Sequence, residues 1–218
     1  MNGREAREVV ELIRRMGPAV LSTTPTSPNM RRAVGALVAN TEIMLSRVWF
    51  TQAFIFCLDL ARREGATLAT MGRVRKAALA ETPVGLPAIA AQQAVIRLSL
   101  SAEARIIITM DFKSRDDVQS VFTEMQTAFL QAAEVASDAL DAAGYMTITG
   151  LQASVVKYLT DQGRRLPRVI PYKNVAAIPS LVMSQSRYGD ASRSDELRLE
   201  NKVIHPAFMP MEGRMLAV

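Results

Sequence analysis

Residues 186–206, SRYGDASRSDELRLENKVIHP, constrain the fold of this chain more than any other stretch. Proline fits the first turn of a helix and glycine ends helices in a left-handed conformation, so a helix is predicted from Pro179 to Gly189. A second helix is predicted to follow at once, with Ser192 or Ser194 as its N-cap. The chain must therefore turn sharply between two short helices.

The second short helix has further signals along its length. Asp195 and Glu196 place negative charge near its positive N-terminal end. Leu197 and Val203 give it an apolar side, and Pro206 is predicted to end it. These residues predict a short helix with one apolar side before the proline.

Extended segments flank the two helices. Residues 168–172 are a candidate strand before them, and Pro210 and Gly213 mark a turn after them. A short final strand is predicted from the apolar residues Met215, Leu216 and Val218. The expected fold class is mainly α, with a multi-helix body and a small C-terminal βααβ module.

The order strand, helix, helix, strand resembles a LysM-type domain. In this sequence Tyr188-Gly189-Asp190 lies between the two helices, and Asn201 lies at the end of the second. Domains of this type serve as docking modules between proteins, and elsewhere they bind cell-wall glycans. The resemblance therefore implies a binding module at residues 164–218.

The wider pattern is similar to the end of the Mu-like phage DNA-circularisation, or DNA-circulation, protein family. It consists of RYGDASRSDEL followed by EN, VIHPAF and a terminal ML-V. Residues 166–170 and 178–181 also match, and more loosely the helical stretch from about Ala90, so the resemblance covers a little over half of the chain. The residues that match the family motif in the module are Tyr188, Gly189, Asp190, Asn201 and Pro206.

The family resemblance implies a structural, non-enzymatic component of a contractile phage tail, at or near the baseplate. Such a chain would be made in the host cytoplasm, reside in the virion, and join other tail and baseplate proteins through helical and LysM-like contacts. A ring of about six copies is expected, because closed rings repeat one interface. Longer members begin with an extra domain rich in acidic and aromatic residues. We expect no such domain ahead of residues 1–11, and a separate polypeptide is one source of it.

The motif residues have structural interpretations that need no catalysis. Gly189 supplies backbone freedom for the turn, Asp190 satisfies free amides of the next helix, and Asn201 caps or turns its end. Tyr188 is expected to pack its ring while its hydroxyl finds a partner. Docking is predicted to involve arginines whose planar groups pair with carboxylates of another protein, namely Arg187, Arg193 and Arg198.

The first 163 residues predict a body of about five to seven helices. Loops are expected at residues 22–29 and 81–87, and Ser114 with Asp117 forms a capping-box-like helix start. The predicted helices are 5–16, ended by Gly17-Pro18; 31–64, broken near Asn40-Thr41 and stopped at Gly65; 66–80; 88–110; a long helix after Ser114, closed by Gly144-Tyr145; and 147–162.

The apolar stretch at residues 43–60 predicts a buried helix. Arg47, Gln52 and Asp59 interrupt it, so no membrane span is expected. Its bulky residues lie around more than one face, which requires a second burying surface, either the rest of the domain, which we prefer, or a neighbouring chain. Cys57 lies within this apolar run and is predicted to be a buried, inert thiol.

Charge is distributed unevenly along the chain. Residues 1–110 carry 14 basic and 8 acidic side chains, residues 111–149 carry 2 and 7, and residues 150–218 carry 10 and 6. Such alternation suits electrostatic registration between neighbouring subunits. The basic residues are scattered with few interleaved aromatics, so direct nucleic-acid contact is not favoured.

The inventory of reactive residues is small. The sequence has no phosphate-binding loop, no GxSxG elbow and no cysteine pair, and its single histidine, His205, precedes a proline in a predicted loop. The adjacent acids Asp116-Asp117 and Asp195-Glu196 lie where helix starts favour negative charge. We therefore expect no catalytic residue, no metal and no cofactor. A cell-wall glycan-binding module and a DNA-end-binding or circularisation protein remain the alternatives.

Overall fold

The computed structural model describes residues 3–47 and 49–217, and for Ser46 only the backbone. Val218, predicted to belong to the final strand, lies outside the described residues. Within the described residues the chain has ten α-helices and one two-stranded sheet. The predicted mainly α fold with a small sheet is confirmed.

Short connections join most of the elements. The helices are α1 Gly3–Leu21, α2 Pro28–Ala39, α3 Thr41–Ser46, α4 Phe50–Arg63, α5 Leu68–Leu79, α6 Leu86–Thr109, α7 Arg115–Asp138, α8 Ala142–Arg165, α9 Ser180–Tyr188 and α10 Ser194–Glu200. The strands are β1 Val169–Lys173 and β2 Glu212–Leu216, and a 3₁₀ turn, Ala191–Arg193, precedes α10. Among the described residues, eight helices precede β1, more than the five to seven expected, because the segment 31–64 contains parts of three helices.

These elements form two compact units. One, the helical unit, takes the described residues up to Met110 together with Met125–Val155. The other, the C-terminal unit, takes Asp111–Glu124 and the described residues from Val156 onward. Helices α7 and α8 contribute residues to both units. The division into a body at 1–163 and a module at 164–218 stays a prediction about independent domains.

Helix α1 is longer than its sequence predicts. The predicted end at Gly17-Pro18 is wrong, because α1 continues to Leu21. A Cβ atom on Gly17 would lie 3.4 Å from the Val38 side chain of α2, and Val20 is buried in the last turn. Close packing against α2 and this added burial outweigh the hydrogen bond that Pro18 cannot donate.

The next helices begin and end at short polar signals. Helix α2 starts at Pro28, earlier than predicted, because the Ser27 hydroxyl accepts a hydrogen bond from the Met30 N–H at 3.0 Å. The predicted break near Asn40 is confirmed, and Asn40 flanks both α2 and α3. Gly65 follows α4 with φ of +89°, so its predicted role as a helix stop is also confirmed.

The bulky apolar residues of α4, together with Trp49, which precedes it, are partly buried and partly exposed. Phe50, Phe54 and Leu58 are at most 5% exposed, whereas Trp49 and Phe56 are 54% and 61% exposed. The core of the unit thus covers one aromatic face and leaves the other accessible. No helix within the described residues combines the length and the apolar composition that crossing a membrane requires.

A buried ion pair joins α5 to α6, the helix pair with the most extensive packing in the helical unit. The Arg75 Nε lies 3.0 Å from the Glu103 Oε1, and the two side chains are 2% and 1% exposed. A buried charge needs its partner, because neither charge can be solvated by water there. The pair therefore couples the register of these two helices.

The later helices confirm one predicted boundary and contradict another. The Ser114–Asp117 capping box at the start of α7 is confirmed, with hydrogen bonds of 3.0 and 3.1 Å between each side chain and the other residue's N–H. The predicted boundary at Gly144-Tyr145 is wrong, since α8 begins at Ala142. Asp141 caps that helix by accepting a hydrogen bond from the Gly144 N–H at 2.8 Å.

The module comprises β1, α9, the 3₁₀ turn, α10 and β2. Strands β1 and β2 pair antiparallel, with Val169 opposite Leu216 and Lys173 opposite Glu212. One face of the sheet and the two helices enclose a small apolar core. Its buried members are Tyr172, Met183, Leu197, Met209 and Met215, with Ile178, Tyr188 and Val203 packed against them.

Helix α10 differs from its prediction at both ends. Neither Ser192 nor Ser194 caps it, because Asp190 accepts the hydrogen bond from the Ser192 N–H at 2.8 Å and the 3₁₀ turn intervenes. Pro206 does not end it either, since α10 stops at Glu200. Lys202 then adopts φ of +54°, which turns the chain away before the proline is reached.

Candidate functional site

The pairing register of the module determines which backbone groups face away from the sheet. Hydrogen bonds from Ala217 N–H to Arg168 O and from Asn174 N–H to Met211 O, both 2.7 Å, fix the pattern of the ladder. In an antiparallel pair, opposite residues alternate between hydrogen-bonded and non-hydrogen-bonded positions. Residues 169, 171 and 173 of β1 and residues 212, 214 and 216 of β2 therefore direct their N–H and C=O groups outward.

Side chains cap the outward groups of β2. The Asn201 amide accepts a hydrogen bond from the Arg214 N–H at 2.8 Å and donates one to the Arg214 carbonyl at 2.7 Å. The Tyr188 hydroxyl accepts a hydrogen bond from the Leu216 N–H at 3.2 Å. Two motif residues thus occupy positions that an added strand would take.

The outer edge of β1 is capped in the same manner. Asp116, at the start of α7, accepts a hydrogen bond from the Val169 N–H at 2.9 Å. Pro171 has no N–H to offer, and Arg187 Nη2 donates to the Lys173 carbonyl at 3.3 Å. Unpaired strand edges otherwise invite pairing with other chains. Both edges of this sheet are therefore obstructed by its own side chains.

Gly213 is required by the way Asn201 reaches β2. A Cβ atom at position 213 would lie 2.6 Å from the Tyr172 hydroxyl and would also collide with the Asn201 side-chain oxygen. Tyr172 is 6% exposed and its hydroxyl donates to the Pro210 carbonyl at 3.2 Å. Neither neighbour can move without losing hydrogen bonds, so glycine is the residue that fits.

The Tyr188-Gly189-Asp190 turn is held by its own backbone and by α9. Gly189 has φ of +72°, which confirms the predicted left-handed conformation, and its N–H donates to the Gln185 carbonyl at 3.0 Å. The Ser184 hydroxyl, from α9, donates to the Asp190 carbonyl. The turn is therefore a rigid connection between two helices.

Tyr188 has its ring and its hydroxyl both engaged. The Arg193 guanidinium lies 4.0 Å from the ring centre. Burial, followed by the neighbouring Glu196 carboxylate, raises the pKa of Tyr188 to about 12. The hydroxyl therefore stays protonated at neutral pH, and it serves as a hydrogen-bonding group that packs the end of β2.

The three arginines predicted to dock a partner all have contacts within the chain. Arg193 pairs with Glu196 at 2.8 Å and Arg198 pairs with Asp195 at 2.6 Å. Arg187 bonds the backbone of β1 as described above. Their docking role stays a prediction, and part of their hydrogen-bonding capacity is already used.

Apolar side chains around the start of α9 form the exposed surface that sequence reasoning missed. Ser180 N–H donates to the Pro206 carbonyl at 2.7 Å, which brings the 204–208 loop beside α9. We call this surface the module patch. Its members are Leu181, Val182, Ile204 and Phe208, with exposed fractions of 57%, 55%, 92% and 69%. The sequence signal for this surface is the VIHPAF segment, residues 203–208. Ile204 and Phe208 are apolar there without belonging to a helical apolar pattern that would bury them.

A cleft in the C-terminal unit lies beside α10. It has a volume of about 650 Å³ and is lined by Lys113, Asp117, Glu196, Leu199, Glu200 and Leu216. Asp117 is held by the Ser114 capping box and Glu196 by Arg193. The carboxylates are therefore partly engaged in holding the fold.

The potentially reactive side chains are dispersed. Within the described residues, no group of three or more His, Cys, Asp or Glu side chains could hold a metal ion. Cys57 is buried, as predicted, and burial raises the pKa of its thiol to about 11. His205 is exposed in a loop with its ring 5.4 Å from that of Phe208. The Cys57 thiol is therefore part of the core, and the His205 ring is part of the surface.

Comparison with protein-family models and with curated protein sequences found no match.

Proposed function

We propose that this chain is a non-enzymatic structural subunit of a contractile phage tail, at or near the baseplate. The sequence resemblance to the Mu-like DNA-circularisation family motivates the location. In this role the module is a LysM-like docking module, and the helical unit provides a second set of contacts to tail proteins. Several copies, about six, form a ring in the virion.

The observation that carries this proposal is the use of the motif residues. Tyr188, Asn201 and Asp190 direct their polar groups at the chain's own backbone, as described above. A catalytic or polar ligand-binding site needs such groups directed at a substrate. The motif residues are therefore best explained as structural residues of the module. The surface that we propose for a partner is the apolar module patch.

The closed sheet edges restrict how a partner binds. Peptides that add a strand to a sheet need an edge with free N–H and C=O groups. Asn201, Tyr188, Asp116 and Arg187 bond part of these groups on each edge here, namely at residues 169, 173, 214 and 216. Docking through the module patch, by contact between side-chain surfaces, is thus the mode that the module favours.

Binding of cell-wall glycan by the module is the second candidate. The cleft beside α10 combines exposed apolar surface at Leu199, which is 68% exposed, with the carboxylates of Glu196 and Glu200. Carboxylates and an apolar surface are the groups that bind sugar hydroxyls and sugar faces. Co-sedimentation of the full chain with purified cell walls tests this candidate, with Leu199→Ser and Glu200→Ala as variants.

Mass spectrometry of fractionated particles tests the tail proposal. Purified virions of the phage that encodes this chain would be separated into heads and tails, and this chain would be quantified in each fraction. We expect it in the tail fraction at a fixed ratio to the tube and baseplate proteins. Its absence from tails, or its recovery with packaged DNA, would contradict the proposal.

A further inference from the structure

The turn between α7 and α8 has an unfavourable backbone conformation that its own chain does not explain. Hydrogen bonds from Leu140 N–H to Ser137 O and from Asp141 N–H to Ala136 O, both 2.9 Å, end α7 in a Schellman motif. Leu140 takes the left-handed position with φ of +56°, where glycine is usual. Its side chain is 91% exposed. The leucine thus strains the backbone at this turn, and its side chain adds no buried apolar surface to the unit.

The end of α4 shows the usual solution to the same turn. There Gly65 occupies the left-handed position, and the Ala66 N–H donates to the Ala61 carbonyl at 3.0 Å. The two helix ends share their hydrogen-bond pattern and differ in the residue that bears the positive φ. A leucine at this position therefore points to a contact outside the unit.

Leu140 lines a concave apolar site, which we call the turn pocket. Its volume is about 350 Å³, and its walls include Tyr145 and Met146, which are 43% and 70% exposed. Ala136 and Ala142 also line it. A cavity of this size can accommodate one large apolar side chain.

The surroundings of the turn pocket are acidic. Residues 125–155 contain three acidic side chains and no lysine or arginine. Asp141 is paired with Arg97 of α6, whereas Glu134 and Asp138 are exposed on α7. A partner surface that is apolar and basic would complement this one.

The module patch has those properties. Phe208 is an aromatic side chain that is 69% exposed. Ile204 is exposed in the same loop, and Leu181 is exposed at the start of α9, which the Ser180–Pro206 hydrogen bond holds beside that loop. The exposed Lys202 precedes the loop. Arg198, which pairs with Asp195, also donates from Nη2 to the Ile204 carbonyl at 3.2 Å. Residues 156–218 as a whole carry ten basic and six acidic side chains.

We infer that the module patch of one copy binds the turn pocket of a second copy, with Phe208 inserted beside Leu140. The inference rests on the proposed multi-copy assembly and names the two surfaces that build it. The surfaces differ, so the contact is head-to-tail, and it generates a ring if the rotation closes. Opposite charges around the two surfaces set the orientation.

Sedimentation velocity of the full chain over the micromolar range tests the inference. We expect concentration-dependent association of the unaltered chain. A turn variant, Leu140→Gly with Met146→Ser, and a patch variant, Phe208→Ser, should each weaken self-association at least about tenfold. Leu140→Gly alone should retain or raise the melting temperature, which separates lost contact from lost folding.

Mixing the two variants distinguishes a head-to-tail contact from one in which both copies use the same surface. Each variant keeps one intact surface, so an equal mixture should form a one-to-one complex even though neither variant associates alone. A control, Val84→Ser, alters a loop side chain that is 87% exposed in the helical unit and should leave association unchanged.

Several results would overturn the inference. They are a monomeric unaltered chain, association that survives both variants, no complex in the mixture, or association abolished by Phe56→Ser on α4 alone. A monomeric chain that is nevertheless present in tails would overturn this interface and leave the tail proposal intact. If the chain associates through these surfaces but is absent from tails, the tail proposal is overturned and this interface stands.

Discussion

The two units use polar side chains in different ways. In the helical unit, Arg75 and Glu103 form an ion pair that water does not reach. In the C-terminal unit, Asn201, Tyr188 and Asp116 lie at the rims of a two-stranded sheet and bind its outward backbone groups. The first arrangement fixes how two helices pack, and the second determines where a sheet stops. Neither arrangement directs reactive groups at a common point, and in both units these polar side chains hold the fold together.

The largest expected effect lies in the helical unit. Arg75→Met removes the guanidinium that neutralises the buried Glu103 carboxylate and should lower the free energy of unfolding by about 3–5 kcal/mol. Replacing both residues, as Arg75→Met with Glu103→Leu, should recover most of that loss. Urea unfolding followed by circular dichroism measures both. Equal losses for the single and double variants would show that the pair does not act as a unit.

Gly213→Ala should have the next largest effect. The new methyl group would displace Tyr172 and Asn201 together and should cost about 2–3 kcal/mol, as overpacking does. Gly35→Ala is the matched control, because nothing lies within 4 Å of a Cβ at that exposed helical position. Hydrogen exchange of the β2 amides, detected by mass spectrometry, measures the loss. Unchanged protection of β2 would contradict the required close approach.

Asn201→Ala should weaken the module by about 1–2 kcal/mol, because two hydrogen bonds to Arg214 and one to the Leu197 carbonyl are lost. It also frees the Arg214 N–H and carbonyl on the outer edge of β2, so the variant should aggregate more readily. Asn201→Asp keeps an acceptor for the Arg214 N–H, so its stability should lie between that of the original chain and that of Asn201→Ala. Hydrogen exchange and light scattering report these changes. A variant as protected and as soluble as the original would refute the edge-capping role.

The smallest effect concerns Tyr188 at alkaline pH. Its pKa is raised to about 12 in the folded chain, above the ordinary value of about 10. The folded state then holds a proton that the unfolded state releases, so this contribution to stability is complete below pH 10 and is lost as pH rises from about 10 to 12. Absorbance titration should show one tyrosine ionising near pH 12, absent from Tyr188→Phe. Ordinary titration of all tyrosines would disprove this.

Much of the module was predictable because local signals agree there. Gly189 between two short apolar patterns, and strand-like residues at each end, predict a βααβ order without knowledge of the tertiary structure. The α10 boundaries failed for a local reason. Asp190 competes successfully with Ser192 and Ser194 for the free amides, and Lys202 turns the chain without glycine or proline.

The edge caps and the exposed surfaces depend on tertiary structure. Asp116 lies 53 residues from Val169 in sequence, so its helix-start position gives no indication of that hydrogen bond. The continuation of α1 past Pro18 depends on packing against α2 in the same way. Neither the positive φ of Leu140 nor the exposure of its side chain could be inferred from the sequence. The leucine continues the apolar helical pattern of α7, which predicts a buried helical residue.

Cryo-electron microscopy of particles made with and without this chain tests the structural-subunit proposal most directly. We expect a ring of density in the tail, at or near the baseplate, into which the two compact units fit, and tails that are incomplete when the chain is absent. Normal, complete tails that contain no density for this chain would contradict a structural role in the tail.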